Sequence, residues 1–193
     1  EPRRDASLNQ RLLTMTPGDA RELIARLGAD ALNAVDAGMT PIMTAASAGR
    51  ADLIAMLVEH GGDPNRRGGQ ERTALQYAAE RNRIEAARVL LAAGADVDGH
   101  DTTRLTPLVM AADRGYTELA FLFLDAGADV DIAHVEGWTA LIDAARAGNV
   151  ELVKRLIYEG ADSTLETPNG WRAIDYARHY KHAEVVRILE KHG

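Results

Sequence analysis

Glycine stands at positions 28, 61, 94, 127, 160 and 193, so every interval is 33 residues. Ala45, Ala78, Ala111, Ala144 and Ala177 keep that interval, as do Asp30, Asp63, Asp96, Asp129 and Asp162. Thr40, Thr73, Thr106 and Thr139 form another column, with Arg172 in its fifth place. A fixed period of this length confines a chain to repeat architectures, in which each unit buries its apolar face against a neighbour.

Each column has a physical task. Thr is a good helix N-cap, and Pro41 and Pro107 follow it at the first helical position, where no N–H is needed. The pairs Ala45-Ala46 and Ala144-Ala145 leave a thin face on which neighbouring helices approach closely. Gly49, Gly115 and Gly148 suit the left-handed conformation that ends a helix. A second helix then carries an acid in its first turn (Asp52, Glu85, Glu118, Glu151, Glu184), which complements the helix dipole. Its apolar stripe reads Leu53/Met56/Leu57, Leu119/Leu122/Phe123 and Leu152/Leu156/Ile157. The periodic Gly ends that helix, and an Asp-containing turn leads to the next unit.

With Thr40-Pro41-Ile42, Thr106-Pro107-Leu108, the Ala-Ala pairs, Gly94-Ala95-Asp96-Val97 and Gly127-Ala128-Asp129-Val130, the sequence resembles the ankyrin-repeat family from about residue 28 to 193. The resemblance implies an all-α solenoid of helix-turn-helix units with hairpin fingers. The His that the family places after T-P-L is replaced by Met43, Gln76, Val109, Ile142 and Asp175, which predicts different turn hydrogen bonding. The register run backwards puts Leu12 and Leu13 on the Ala columns and Ile24 on that of Leu57, Leu90 and Phe123. Residues 1–30 are therefore read as an N-terminal capping unit, degenerate over 7–30. Residues 31–193 are read as five repeats at approximately 38–70, 71–103, 104–136, 137–169 and 170–193. Arg172, Arg178 and Lys181 mark the last repeat as a polar C-terminal cap.

A net charge of -7 argues against a nucleic-acid binder that works by neutralising phosphates. No apolar run reaches the roughly 18 residues of a membrane span, and the absence of cysteine removes thiolate chemistry. Arg outnumbers Lys 19 to 3, a bias expected of a GC-rich bacterial genome, and the chain opens EPRRD without Met. The start implies either a processed mature form or a trimmed sequence; the first suggests export, hence a periplasmic or secreted protein, with a cytoplasmic one as the alternative.

Catalytic patterns are missing from the sequence. Ser7, Ser47 and Ser163 lie outside any G-x-S-x-G turn, and there is neither a phosphate-binding G-x-x-x-x-G-K loop nor an H-E-x-x-H helix. The expectation is a protein that is not an enzyme and takes no cofactor or metal. His179 and His182, three apart, could share a helix face as a metal pair, but further ligands are lacking. Residues 96–101, DVDGHD, lack the spacing and the bidentate Glu of a calcium loop.

Binding is left as the function. The resemblance implies docking on a concave face built from fingers and first helices. The columns that vary between otherwise similar units give the candidates Gln70, Arg72, Arg81, Arg104, Leu105, Arg114, Glu136, Trp138, Arg146, Trp171, His179 and Tyr180. Arg and aromatic residues dominate interface hot spots, and Leu105, Trp138 and Trp171 are expected to stack on successive fingers. Two structural alternatives stand beside this. Trp138 could simply cover its hairpin, and Arg81, Arg114 and Arg146 could pair within the array. Phe121, in a column with Ala55, Arg88, Lys154 and Arg187, is expected to be partly exposed. The expected protein is a non-catalytic interaction module, monomeric in isolation, that restrains a protein partner as an inhibitor or immunity protein would. A generic adaptor, or a metal-dependent protein or enzyme using His179 and His182, is the alternative.

Overall fold

The structure, a computed structural model, describes residues 7–192. The EPRRD start and the periodic Gly193 lie outside the described residues. The chain divides into two compact units, one ending at Thr102 and the other beginning at Thr103. Both are built from pairs of short helices, and no strand beyond isolated bridges occurs among the described residues.

The first unit contains α1 (Leu8–Thr14), α2 (Pro17–Ala25), the single turn α3 (Ala29–Leu32), α4 (Pro41–Ala48), α5 (Ala51–Glu59), α6 (Ala74–Glu80) and α7 (Ile84–Ala92). Helix α1 packs on α4 and α4 on α6, while α2 packs on α5 and α5 on α7, giving an inner and an outer row. The second unit contains α8 (Pro107–Asp113), α9 (Thr117–Asp125), α10 (Ala140–Ala147), α11 (Val150–Tyr158), α12 (Ala173–His179) and α13 (Ala183–His192). Its inner row runs α8, α10, α12 and its outer row α9, α11, α13.

The columns do what their chemistry predicts. The Thr40, Thr73, Thr106 and Thr139 hydroxyls each accept the N–H of the third helical residue at 3.3 Å, worth about 1 kcal/mol apiece. The position that lacks its His is reused in three repeats. Met43 Sδ, Gln76 Oε1 and Asp175 Oδ2 each accept the N–H of their own N-cap residue, at 3.3, 3.0 and 3.0 Å. Ala45, Ala46, Ala78, Ala79, Ala144 and Ala145 are fully buried. Side chains larger than Ala there would overpack the inner rows, at about 1–3 kcal/mol each. The outer stripe is corrected in detail: Val153 is buried while Ile157 is only partly so, and Leu124 replaces Leu122.

Two turn columns are left-handed throughout. Gly49, Asn82, Gly115, Gly148 and Lys181 close the inner helices at φ 77°, 53°, 70°, 69° and 62°. Gly38, Glu71, Arg104, Gly137 and Gly170 turn the fingers at φ 82°, 60°, 61°, 75° and 74°. Gly28 departs from its column. It has φ -80° and N-caps α3, so the periodic glycine begins a helical turn there instead of ending one.

Asp63, Asp96 and Asp129 each accept the N–H two residues on, at 2.8, 3.1 and 2.9 Å, and Asp162 accepts that of Thr164 at 2.8 Å. These are Asx turns. In two of these turns the closing residue also reaches the next repeat: Asn65 Oδ1 accepts from Asp96 N at 2.8 Å and Asp131 Oδ1 from Asp162 N at 2.8 Å. In DVDGHD the Asp96 carboxylate and the Asp98 N–H form one of these turns. Fingers are joined by backbone bonds from Gly69 N to Gly38 O, Thr102 N to Gln70 O and Val135 N to Thr103 O, at 2.8, 3.2 and 2.9 Å.

Candidate functional site

The candidate residues fall into a set in each unit. In the first unit Gln70 is exposed on its finger and Arg81 is exposed where α6 ends. Arg72 lies between them, half-buried, with its guanidinium 4.4 Å from the Tyr77 ring centroid and Nη2 3.2 Å from Glu80. Its Nε is buried without a hydrogen-bond partner. Finger base, mid-helix residue and helix-end residue thus form one triad: Arg72, Tyr77 and Glu80.

The second unit repeats the triad with other chemistry. Trp138 closes its finger, where its carbonyl accepts the His134 N–H at 3.2 Å. Asp143 occupies the middle of α10 and Arg146 its last turn. The Arg146 guanidinium lies 5.3 Å from the Trp138 ring. One terminal nitrogen, Nη2, donates to Asp113 at 2.8 Å and to Asp143 at 3.2 Å, while Nε is buried without a partner. Arg146 is therefore a cation held within the unit, as the structural alternative has it. Asp143 is only 3% exposed. Burial, reinforced by the Asp113 carboxylate and opposed by Arg146, pushes its carboxyl up to about 7.

The next repeat supplies Trp171, Tyr176 and His179. Trp138 and Trp171 both pack on Tyr176, with centroids 4.7 and 5.0 Å away. The aromatic strip therefore runs through a buried tyrosine that joins the two indoles. Thr167 Oγ1 lies 3.1 Å from the Tyr176 hydroxyl. Beyond it the ring edges continue from Trp171 to His179 at 5.2 Å and from His179 to Tyr180 at 4.9 Å. His179 and Tyr180 are exposed, Tyr180 by 51%.

His182 belongs to the scaffold. Its Nε2 lies 3.0 Å from the Arg146 carbonyl at the end of α10. Arg83 makes the matching bond from Nε to the Ser47 carbonyl at 3.3 Å, and a cation or donor there satisfies a helix-end carbonyl. Among the described residues no group of three His, Cys, Asp or Glu comes together, so the metal alternative gains no third ligand.

The remaining candidates are peripheral to this cluster. Arg104, Arg114 and Glu136 are exposed, Leu105 is half-buried, and the Glu136 N–H donates to His134 Nδ1 at 3.1 Å. Phe121 is half-buried beside the Arg155 guanidinium, 5.7 Å from its ring. Tyr176 and Asp143 are missing from the sequence-based candidates. Their column reads Thr44, Tyr77, Met110, Asp143 and Tyr176, and that variability was the available signal.

Paired short helices, left-handed turns and finger hairpins on a 33-residue period define a stacked helix-hairpin repeat protein. The description "Ankyrin repeats (3 copies)" matches residues 16–101 and 108–193, and the chain belongs to the ankyrin-repeat family. No curated protein matches it. Ankyrin repeats are generally protein–protein interaction modules and typically non-catalytic. Among the described residues no helix is long and apolar enough to cross a membrane.

Proposed function

We propose that this chain is a non-catalytic binding module and that the aromatic edge of the second unit is where a protein partner docks. The observation that carries this reading is the run from Trp171 through His179 to Tyr180. It starts on a braced, half-buried indole and ends on a phenol that is half exposed. Aromatic side chains bury much area at little entropic cost, and an anchor already fixed by packing loses little freedom on binding. Arg104, Arg114 and Glu136, in the same unit, supply polar contacts around such anchors. In this reading the partner is held and restrained sterically, as by an inhibitor.

Trp138 and Trp171 brace Tyr176, so removing both would damage the fold as well as any interface. His179 and Tyr180 test the surface alone. Immobilised full-length protein is exposed to an extract of its source cells, alongside His179→Ala/Tyr180→Ala and Tyr158→Ala. Tyr158, 84% exposed at the end of outer helix α11, is the control. Proteins retained by the parent and the control but lost from the double variant support the reading. Equal retention by all three overturns it.

A further inference from the structure

We infer that Asp143 is a proton-operated latch beneath the aromatic face: its carboxylate holds Arg146 over Trp138, and its carboxylic acid releases Arg146 to Asp113 alone. This rests on the docking reading above for its consequence, a partner affinity that varies with pH. It does not need that reading for its chemistry.

The geometry is that of a shared cation. Arg146 Nη2 divides itself between a buried carboxyl at 3.2 Å and Asp113 at 2.8 Å, whose side chain is 54% exposed. Protonation of Asp143 removes the charge that draws the guanidinium inward, whereas Asp113 and solvent still draw it outward. The buried, unpartnered Nε adds to that bias, because outward movement gives it water. Trp138 loses the cation beside its ring on the same movement. Burial and Asp113 set the change near neutral pH, where the carboxyl stands at about 7.

Other ionisable groups around α10 have their own engagements. On α8 there is Asp113. On α11, Lys154 pairs with Glu151 and Glu184, and Arg155 with Glu159 and Asp125. On α12, Asp175 accepts the Arg172 N–H, Arg178 pairs with Glu190, and His179 lies edge-on to Trp171. His182 meets the Arg146 carbonyl, and His134 accepts from Glu136 N. The three histidines are the groups that could imitate the latch, so the test separates them.

Trp138 and Trp171 are the chain's two tryptophans, so full-length Trp171→Phe reports on Trp138 alone. Its emission is titrated from about pH 5 to 9. The latch requires a transition with a midpoint near 7, absent when Asp143→Asn is added and unmoved by His134→Gln, His179→Gln or His182→Gln. A transition that survives Asp143→Asn, one that follows a histidine, or no transition overturns it. Carbon-13 NMR of the Asp143 carboxyl in the unaltered protein decides the same point without relying on a variant's folding, because a midpoint near 4 also sinks the latch. The titration uses no partner. If the docking surface is wrong, the transition persists while partner retention is indifferent to the aromatic edge; if the latch is wrong, retention keeps its dependence on that edge.

Discussion

At the scale of single residues, Asp143 carries the largest electrostatic cost among the described carboxyls. An ordinary aspartate titrates near 3.8, and this one is pushed up to about 7. The folded state therefore keeps a proton that the unfolded chain has already released between those values. Stability is highest below pH 4 as far as this group is concerned, falls as pH rises towards 7, and stays at the lower level above it. A displacement of this size corresponds to about 4 kcal/mol, an upper figure because relaxation and water reduce it. Asp143→Asn removes the ionisation. Its melting temperature should exceed that of the parent by several degrees at pH 8, given about 2–4 °C per kcal/mol for a chain this long, and match it near pH 4. Thermal melts across that range check the prediction. A variant less stable than the parent at pH 8 would mean that the Arg146 pair outweighs the burial of the charge.

At the scale of elements, a repeat is held to its neighbour by polar bonds at fixed places as well as by apolar contact. Asn65 shows the device most fully. Its N–H donates to Asp63, its side-chain oxygen accepts from Asp96 N, and its amide nitrogen donates to the Gly94 carbonyl at 2.9 Å. Asn33 does the same one repeat earlier, accepting from Asp63 N at 2.6 Å and donating to Gly61 O at 2.9 Å. Asn65→Ala keeps the Asx turn, which uses only its backbone, and cuts both cross-repeat bonds. Since the site is exposed and water replaces part of what is lost, the expected cost is about 1–2 kcal/mol. Urea unfolding with an unchanged slope measures it. These elements also mark how far the sequence could be read. Thr caps, Pro at the first helical position and glycine turns act within a few residues, so their pattern declares them. Asp96 and Gly94, which Asn65 meets, and Asp113, which Arg146 meets, lie about one repeat away, and only the register of stacked helices brings them together. Gly28 obeys the period by position and departs from it in conformation, because the chain around it begins a turn of helix. Tyr176 and Asp143 escaped for a further reason: their column varies too much to mark a scaffold position, and only the fold shows the contacts with Trp138 and Arg146 that give it a role.

At the scale of the whole chain, stability should vary along each unit with the number of flanking helices, as it does where every repeat touches only its neighbours. Helix α4 has inner-row helices on both sides, α1 and α6, and α10 lies likewise between α8 and α12. Helices α12 and α13 pack on their partners in the second unit from one side and on each other. Native-state amide exchange should therefore be slowest in α4 of the first unit and α10 of the second, and at least about tenfold faster in α1, α2 and α13. Equal exchange in α10 and α13 would show instead that the second unit opens as a single body. The order matters for the latch as well. A buried carboxyl costs most where its surroundings cannot yield, and α10 is braced from two sides by α8 and α12, while Trp138, just before it, packs on Tyr176 of α12. In an end helix the same Asp would escape to water by local fraying, and its proton would report only on that fraying. Held in α10, it escapes by moving Arg146, so the amides of α10 should stay protected on both sides of pH 7 while the environment of Trp138 changes.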